Sequence, residues 1–342
     1  MLIFRDLLVR KLHISTLDQD STNNLSAPMT VFWQQGLFAS FTGIAGINIH
    51  YALFIHPDDT TPSLVLVPGR SESYLKYQEL AFDLYQKGFN IFIIDHRGQG
   101  LSERLIANKH KGYVVKFQHY IDDLKYFIDH IVAKNSTSKP YILAHSMGGA
   151  IATRFMQDSP DSVRAAVIAS PMLGFNSGSI PSPIATGLIK IKLTLNRMFS
   201  VHPWYFIGQQ GFSTVSFSKN KLTHSAPRYQ NFSDLYQQNK SIQLGGVTCH
   251  WLAQSIGAQK EIFAKINQLK TPILVLQAGK DTVVCQQAQN KFCQQLHALQ
   301  PQSCPDGVPI RFDDAYHELF FEIDDYRDIA IQRSLAWFKQ HS

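Results

Sequence analysis

The sequence predicts an α/β fold in which a mostly parallel central sheet carries helices on both faces. Short runs that are apolar throughout, such as SLVLV at residues 63–67 and NIFII at residues 90–94, alternate with segments of helical spacing. Strands of this kind are buried on both faces, which is typical of parallel sheets. The chain has 342 residues, 44% of them hydrophobic and 17% charged, which suits a large folded core.

The segments before the first apolar run follow a different pattern. Residues 1–28 are polar and uneven, and they predict an N-terminal lead-in. From Val31 onward, VFWQQGLFASFTG and INIHYALFIHP alternate aromatic or β-branched residues with polar ones, and Gly43 and Gly46 flank the turn between them. This pattern predicts an antiparallel hairpin.

The later elements follow one another in a βα rhythm. Gly88 ends the first amphipathic helix in the way that a C-cap glycine does. The strands expected from the apolar runs lie at residues 63–67, 90–94, 141–143, 164–169, 273–277 and 310–312, and the helices within residues 73–87, 114–133, 148–157, 284–299 and 325–339.

The rhythm breaks between Met172 and Trp251. Roughly 80 residues that do not continue the βα pattern are best explained as an insertion between two βα units. We therefore predict one core formed by residues 1–171 and 252–342, with residues 172–251 inserted as a cap.

A candidate nucleophile lies in Ala144-His145-Ser146-Met147-Gly148-Gly149, directly after the apolar strand and before a helical segment. A serine on a tight strand-to-helix turn presents its hydroxyl at the carboxyl end of the sheet. Small residues are needed on both sides of it, because the backbone is crowded there. Ala144 stands where the usual GxSxG pattern has its first glycine, and alanine is nearly as small.

Serine needs a base to take its proton, and the base needs an acid to fix its tautomer. Asp281 follows the strand at residues 273–277, and His317 follows the strand at residues 310–312. The order serine, acid, histidine is the one that this strand–turn–helix arrangement requires. Asp313 and Asp314 are alternatives for the acid, but they lie too close to His317 in sequence and are expected to shape its loop.

The tetrahedral intermediate of acyl transfer requires hydrogen-bond donors for its oxyanion. The backbone N–H of Met147, next to the nucleophile, is one candidate. The second is the backbone N–H of Arg70, in the loop that follows residues 63–67. Gly69 in that loop lets the backbone approach closely, although it is also a common turn residue.

These motifs carry a family resemblance. HSMGG, IFIIDHRGQGLSER, the PGR loop and AGKD…YHELFFE together resemble the lysophospholipase and monoacylglycerol lipase branch of the α/β-hydrolases in bacteria, over about residues 31–338. The resemblance implies the α/β-hydrolase fold and places the nucleophile, acid and base on Ser146, Asp281 and His317. It places the oxyanion donors on Arg70 and Met147. Many relatives have HG where this chain has PG, and the shared DHRG turn at residues 95–98 is interpreted as structural.

The inserted segment carries a basic amphipathic pattern. Apolar residues recur at helical spacing with cations between them: Ile184, Leu188, Ile191, Leu195 and Met198, with Lys190, Lys192 and Arg197. One interpretation is a cap helix that covers an acyl-chain pocket and rests on an anionic membrane. The other is that its apolar face packs on the rest of the cap.

Charge and composition limit the partners. The net charge is +6, which is compatible with an anionic surface, but no dense Lys/Arg run follows a nucleic-acid backbone, so nucleic acid is not expected. The four cysteines form no CxxC pair and indicate a reducing compartment. We find no signal peptide and no run near the ~18 apolar residues of a membrane span. A cytoplasmic protein, with peripheral attachment to the inner membrane left open, is expected.

Three functions remain in view. The first is a lysophospholipase that releases a fatty acid through an acyl-enzyme. The second is a monoacylglycerol lipase or general carboxylesterase that uses the same residues. The third is a non-catalytic protein that binds a ligand with a hydrolase fold. No metal or organic cofactor is expected for the first two, because a triad and backbone donors suffice for ester hydrolysis.

Overall fold

The computed structural model describes residues 26–176 and 182–342, with the side chains of residues 182–186 left aside. Most of the predicted lead-in over residues 1–28 therefore lies outside the described residues. The strands are β1 (Leu37–Thr42), β2 (Asn48–Phe54), β3 (Ser63–Val67), β4 (Asn90–Ile94), β5 (Tyr141–His145), β6 (Ala166–Ala169), β7 (Ile273–Ala278) and β8 (Ile310–Phe312). The helices are α1 (Ala27–Gln34), α2 (Gln78–Gln86), α3 (Gln118–Phe127), α4 (Met147–Asp158), α5 (Ser182–Phe199), α6 (Ala226–Gln238), α7 (Cys249–Ala264), α8 (Gln286–Leu299) and α9 (Asp324–Gln340).

The strands form one eight-stranded sheet in the order β1-β2-β4-β3-β5-β6-β7-β8. β2 pairs antiparallel with both β1 and β4, and every later pair in the sheet is parallel. The predicted antiparallel hairpin and the mostly parallel sheet are therefore confirmed.

Helices cover both faces of this sheet, as predicted. Alternate residues of β3 point to opposite faces, so that Leu64 and Leu66 join one apolar cluster while Val65 and Val67 join the other. Residues of α1, α2, α6 and α9 pack in the first cluster, and residues of α3, α4, α7 and α8 pack in the second. The core thus consists of two apolar layers with the sheet between them.

The strand expected from Val31 is wrong over its first four residues, which belong to helix α1. Pro28 occupies the first turn of that helix, where a missing N–H costs nothing. Phe32 and Trp33 are both buried against Phe54. A strand would send two consecutive side chains to opposite faces, whereas a helix lets both pack on the same neighbour.

The segment between β6 and β7 contains helices α5, α6 and α7. The predicted cap boundary after residue 251 falls inside α7, which runs from Cys249 to Ala264 without a break. The division into core and cap stays a prediction. Within residues 26–176 and 182–342, no helix is both long enough and apolar enough to cross a bilayer.

Candidate active site

Ser146 is the single residue between strand β5 and helix α4. β5 ends at His145 and α4 begins at Met147, so the chain must reverse direction at Ser146 itself. Its backbone has φ 52° and ψ −115°, a conformation that L-residues rarely adopt. The turn leaves no room at Gly148, where a Cβ atom would lie 2.0 Å from the carbonyl oxygen of Val67. The predicted tight turn with small neighbours is therefore present.

The structure brings Ser146, His317 and Asp281 together. The Nε2 atom of His317 lies 2.9 Å from the Oγ atom of Ser146, and its Nδ1 atom lies 2.6 Å from Oδ2 of Asp281. All three side chains are buried. They come from the loops that follow β5, β7 and β8, whose carboxyl ends share one edge of the parallel sheet.

The surroundings of Asp281 keep it ionised. Burial alone would raise the pKa of this carboxyl, but hydrogen bonding and charge from His317 and backbone N–H donors outweigh that effect, and its pKa lies below 3.8. The backbone N–H groups of Val283 and Val284 donate to Oδ1 over 2.7 and 3.1 Å. Because the carboxylate accepts from Nδ1–H of His317, the Nε2 lone pair faces the hydroxyl of Ser146. This arrangement lets the imidazole take the hydroxyl proton.

The two predicted oxyanion donors, the backbone N–H groups of Met147 and Arg70, belong to segments that pack against each other, and their role stays a prediction. Met147 is the first residue of α4, so its N–H has no acceptor within that helix. Arg70 follows Pro68 and Gly69 in the loop after β3, and no backbone acceptor among the described residues takes its N–H. The approach of Gly148 to the carbonyl oxygens of Val67 and Pro68 places this loop directly against the start of α4.

A buried carboxylate that the sequence analysis missed connects these loops. Glu72 accepts from the backbone N–H of Gly69 over 2.5 Å and from the hydroxyl of Tyr77 over 2.6 Å. Lys76 bridges Glu72 to Glu318 with distances of 2.9 and 2.7 Å. The only sign of this in the sequence is a Glu and a Lys four residues apart in a helical stretch, and that spacing normally marks a solvent-exposed pair.

His145 extends the network to the residue next to His317. One of its ring nitrogens, Nδ1, lies 3.2 Å from Glu72, and the other, Nε2, donates to the carbonyl oxygen of His317 over 3.3 Å. Burial lowers the pKa of His145, but the charge and hydrogen bond of Glu72 raise it more, so the net pKa is raised. Burial likewise opposes ionisation of Glu72, yet the charges of Lys76 and His145 hold its pKa well below the usual range. Glu72 therefore holds the loop after β3 and, through His145, contacts the backbone of His317.

The turn at residues 95–98 is structural, as predicted. Asp95 accepts from the backbone N–H of Tyr74 and from that of Leu101, over 2.5 and 2.7 Å. His96 donates to the carbonyl oxygen of Pro68 over 3.1 Å, and burial lowers the pKa of His96 to about 4, so that it stays neutral. Arg97 forms a buried ion pair with Asp123 at 2.6 Å. Through His96, this turn contacts the loop after β3 that carries Arg70.

No group of three His, Cys, Asp or Glu side chains that could hold a metal ion occurs in the described parts of the chain. Asp313 and Asp314 lie outside the cluster around Ser146. Asp313 pairs with Arg311 and Asp314 pairs with Lys280, and both carboxylates are largely exposed. Asp281 is therefore the acid that contacts His317.

Known proteins are similar to this chain over most of its length. The chain is 38% identical over 321 residues to lysophospholipase L2 of Escherichia coli strain K12, covering 92% of this chain and 91% of that protein. It is 32% identical over 302 residues to a probable lysophospholipase L2 of Haemophilus influenzae, covering 88% and 91%. The structure of a soluble variant of monoglyceride lipase from Saccharomyces cerevisiae, in complex with a substrate analogue, superposes with a TM-score of 0.66. It is 15% identical and covers 88% of this chain and 94% of that one.

A family described as serine aminopeptidase, S33, matches residues 58–324, which is most of the chain. The chain therefore belongs to this family of α/β-hydrolases, within its lysophospholipase and monoacylglycerol lipase branch.

Proposed function

We propose that this protein is a lysophospholipase that releases a fatty acid from a lysophospholipid through an acyl-enzyme. The observation that carries the proposal is the buried chain of contacts from the hydroxyl of Ser146 through the imidazole of His317 to the carboxylate of Asp281. The similarity to lysophospholipase L2 proteins over about nine-tenths of both chains supports the substrate class.

In the proposed reaction, the imidazole of His317 accepts the hydroxyl proton of Ser146 as the Oγ atom attacks the ester carbonyl. The carbonyl oxygen becomes an oxyanion, which accepts from the backbone N–H groups of Arg70 and Met147. The imidazolium returns its proton to the leaving glycerol oxygen, and the acyl group stays on Ser146. Water then attacks the acyl-enzyme with His317 again as base, releasing the fatty acid and restoring the serine. Asp281 holds the imidazole in the required tautomer throughout.

A monoacylglycerol lipase or general carboxylesterase is the second candidate, because the chain is also 24% identical to the monoglyceride lipase of Rattus norvegicus. The same residues would perform the same steps on an uncharged ester. The two candidates differ in the group next to the scissile ester, which carries a phosphodiester in one and a free hydroxyl in the other.

Two experiments test this proposal. A fluorophosphonate probe should label the native protein and should not label Ser146→Ala; an unlabelled native protein would instead indicate a non-catalytic hydrolase fold. A substrate panel then compares lysophosphatidylethanolamine, lysophosphatidylcholine, monoacylglycerol, a short soluble ester and an aminoacyl nitroanilide. We expect turnover of the lysophospholipids at least comparable to that of monoacylglycerol. A strong preference for the uncharged glyceride, the short ester or the nitroanilide contradicts the lysophospholipase assignment.

The inserted segment is proposed to act as a cap that rests on an anionic lipid surface. Helix α5 exposes apolar side chains, with Ile191 60% and Met198 69% exposed, while Ile189 is buried. Lys190 and Arg197 are exposed on the same helix. Apolar and basic side chains together on one exposed helix are typical of helices that lie in the interface of an anionic membrane. The side chain of Ile184, the first residue of the predicted apolar stripe, is not among those described.

Vesicle sedimentation tests the membrane contact. The native protein should bind vesicles that contain phosphatidylglycerol more strongly than vesicles of phosphatidylcholine alone. The double variant Ile191→Gln/Met198→Gln should lose most of this binding. The control Ile329→Gln removes an exposed apolar residue from α9 and should bind like the native protein. Equal binding by all three proteins would show that α5 does not carry the contact.

A further inference from the structure

A cavity of about 430 Å³ opens beside the loop after β3, which carries Arg70, one of the two proposed oxyanion donors. Arg70 and Ser71 form one wall, and the other walls come from residues 208–215, residues 219–222, helix α6 and residues 244–246. Phe212 and Tyr236 give it an apolar floor. Its volume falls in the range of sites that take small organic ligands, and it exceeds what an inorganic anion needs.

Arg70, which lines this cavity, carries a positive charge without an ion-pair partner among the described residues. Its Nη1 atom donates to the carbonyl oxygen of Gly245 over 2.9 Å, and its guanidinium lies 5.7 Å from the ring centre of Trp251. No carboxylate forms an ion pair with it in the described parts of the chain. Burial lowers the pKa of Arg70 to about 10, so the guanidinium stays charged at neutral pH.

A cation that is taken out of water without a counterion destabilises the fold, because desolvation is not offset by an ion pair. A binding site can keep such an unpaired cation, because the ligand brings the anion that neutralises it. The guanidinium presents its N–H donors in a planar fork that matches two oxygens of a phosphate group. Arg70 thus has the chemistry of an anion-binding side chain, held in a partly buried position beside the cavity.

The rest of the cavity lining has the same sign of charge. Lys219 and Lys221 line the cavity, both are exposed, and neither forms an ion pair with any described residue. None of the residues that line the cavity is Asp or Glu. The cavity therefore attracts anions, and its apolar floor favours an anion attached to an organic group.

We propose that this cavity, formed around Arg70, Lys219 and Lys221, binds the phosphodiester headgroup of a glycerophospholipid. The proposal rests on the proposed function and adds the site that separates a lysophospholipid from an uncharged glyceride. Arg70 carries the N–H of the proposed oxyanion site, and its Nη1 atom contacts Gly245 in the cavity wall. A lysophospholipid has the same layout, because its glycerol carbons connect the scissile ester to the phosphodiester.

The test compares a lysophospholipid and a monoacylglycerol that carry the same acyl chain. The selectivity ratio is kcat/KM for the lysophospholipid divided by kcat/KM for the monoacylglycerol. In Arg70→Gln this ratio should fall about tenfold or more, since a hydrogen bond to a charged group contributes that much. In Lys219→Gln/Lys221→Gln, at exposed positions that the fold tolerates, it should fall a few-fold. Lys240→Gln, an exposed cap lysine outside the cavity, is the matched control and should keep the native ratio.

A binding measurement separates the possible anions. Ser146→Ala protein is titrated with glycerophosphoethanolamine or with inorganic phosphate and followed by calorimetry. The proposal is supported if the Ser146→Ala protein binds the phosphodiester and the double variant Ser146→Ala/Arg70→Gln does not. Binding of inorganic phosphate alone, or an unchanged selectivity ratio in both cavity variants, overturns it. A native protein without any esterase activity would instead refute the proposed function. Failure of the headgroup site and failure of the proposed function therefore give different results.

Discussion

Replacing Gly148 by alanine places a methyl group where the loop after β3, which carries the proposed oxyanion donor Arg70, now lies. The added Cβ atom would be 2.0 Å from the carbonyl oxygen of Val67 and 2.5 Å from that of Pro68. Real Cβ atoms essentially never approach closer than 3.0 Å, so the backbone must separate by at least 3.0 − 2.0 = 1.0 Å. Both obstacles are backbone atoms, which cannot rotate away as a side chain can.

The displacement acts on stability and on rate. Overpacking of this kind destabilises a core by about 1–3 kcal/mol. The loop that moves carries the N–H of Arg70, and a misplacement of about 1 Å at a reacting centre lowers the rate on the order of 100-fold. We therefore expect Gly148→Ala to remain folded and to lose about two orders of magnitude in kcat.

The assay pairs urea unfolding with hydrolysis of a soluble ester by the same preparation. Gly257→Ala is the matched control, because Gly257 is exposed within α7 and an added Cβ atom there meets nothing within 4 Å. That variant should gain about 0.5–1 kcal/mol of stability, as alanine is the better helix former, and keep the native kcat. A Gly148→Ala protein whose kcat stays within a few-fold of the native value would refute the assignment of this loop to the oxyanion site.

Three further substitutions probe the buried charges. Asp281→Asn should lower kcat by about 10³ to 10⁴, because the imidazole loses the partner that fixes its tautomer; a loss below tenfold in steady-state ester hydrolysis would contradict this role. Glu72→Gln should lower the pKa of His145 in an NMR titration. The raised pKa of His145 contributes stability that is present below its ordinary value of 6.5 and lost as the pH rises through the folded-state value. The stability advantage of the native protein over Glu72→Gln should therefore shrink as the pH rises above 6.5, and an advantage that grows would be inconsistent with the pair. Asp123→Asn leaves its buried arginine partner uncompensated and should cost about 3–5 kcal/mol in urea unfolding, with a loss under about 1 kcal/mol counting against the ion pair.

The fold could be predicted from the sequence because its central strands are apolar throughout. Residues 64–67 and 91–94 offer no polar side chain for exposure to solvent, so burial on both faces is the arrangement that they predict. The positions of Asp281 and His317 followed from the same strands, since a polar residue just past a parallel strand must lie at the carboxyl edge of the sheet. Helix α1 was missed because its aromatic residues Phe32 and Trp33 are typical of a strand. Only their shared contact with Phe54 shows that they belong to a helix.

The role of Glu72 could not be predicted, since it depends on contacts that join distant parts of the chain. Its partners include His145, which is 73 residues away in the sequence. Lys76 connects it to Glu318, which lies 242 residues after Lys76. A local pattern of charges gives no information about contacts between residues so far apart in the sequence. The cavity beside Arg70 was missed for the same reason, because its walls come from the loop after β3 and from separate segments between residues 208 and 246.

The backbone at Ser146 also bears on how this protein responds to selection for heat resistance. A serine with φ 52° holds a conformation that costs about 1–3 kcal/mol and that glycine adopts freely. Ser146→Gly would therefore melt at a higher temperature while lacking the hydroxyl on which the proposed chemistry depends. A library ranked by melting temperature alone would be enriched in inert proteins, so each round of such engineering must score turnover together with thermal resistance.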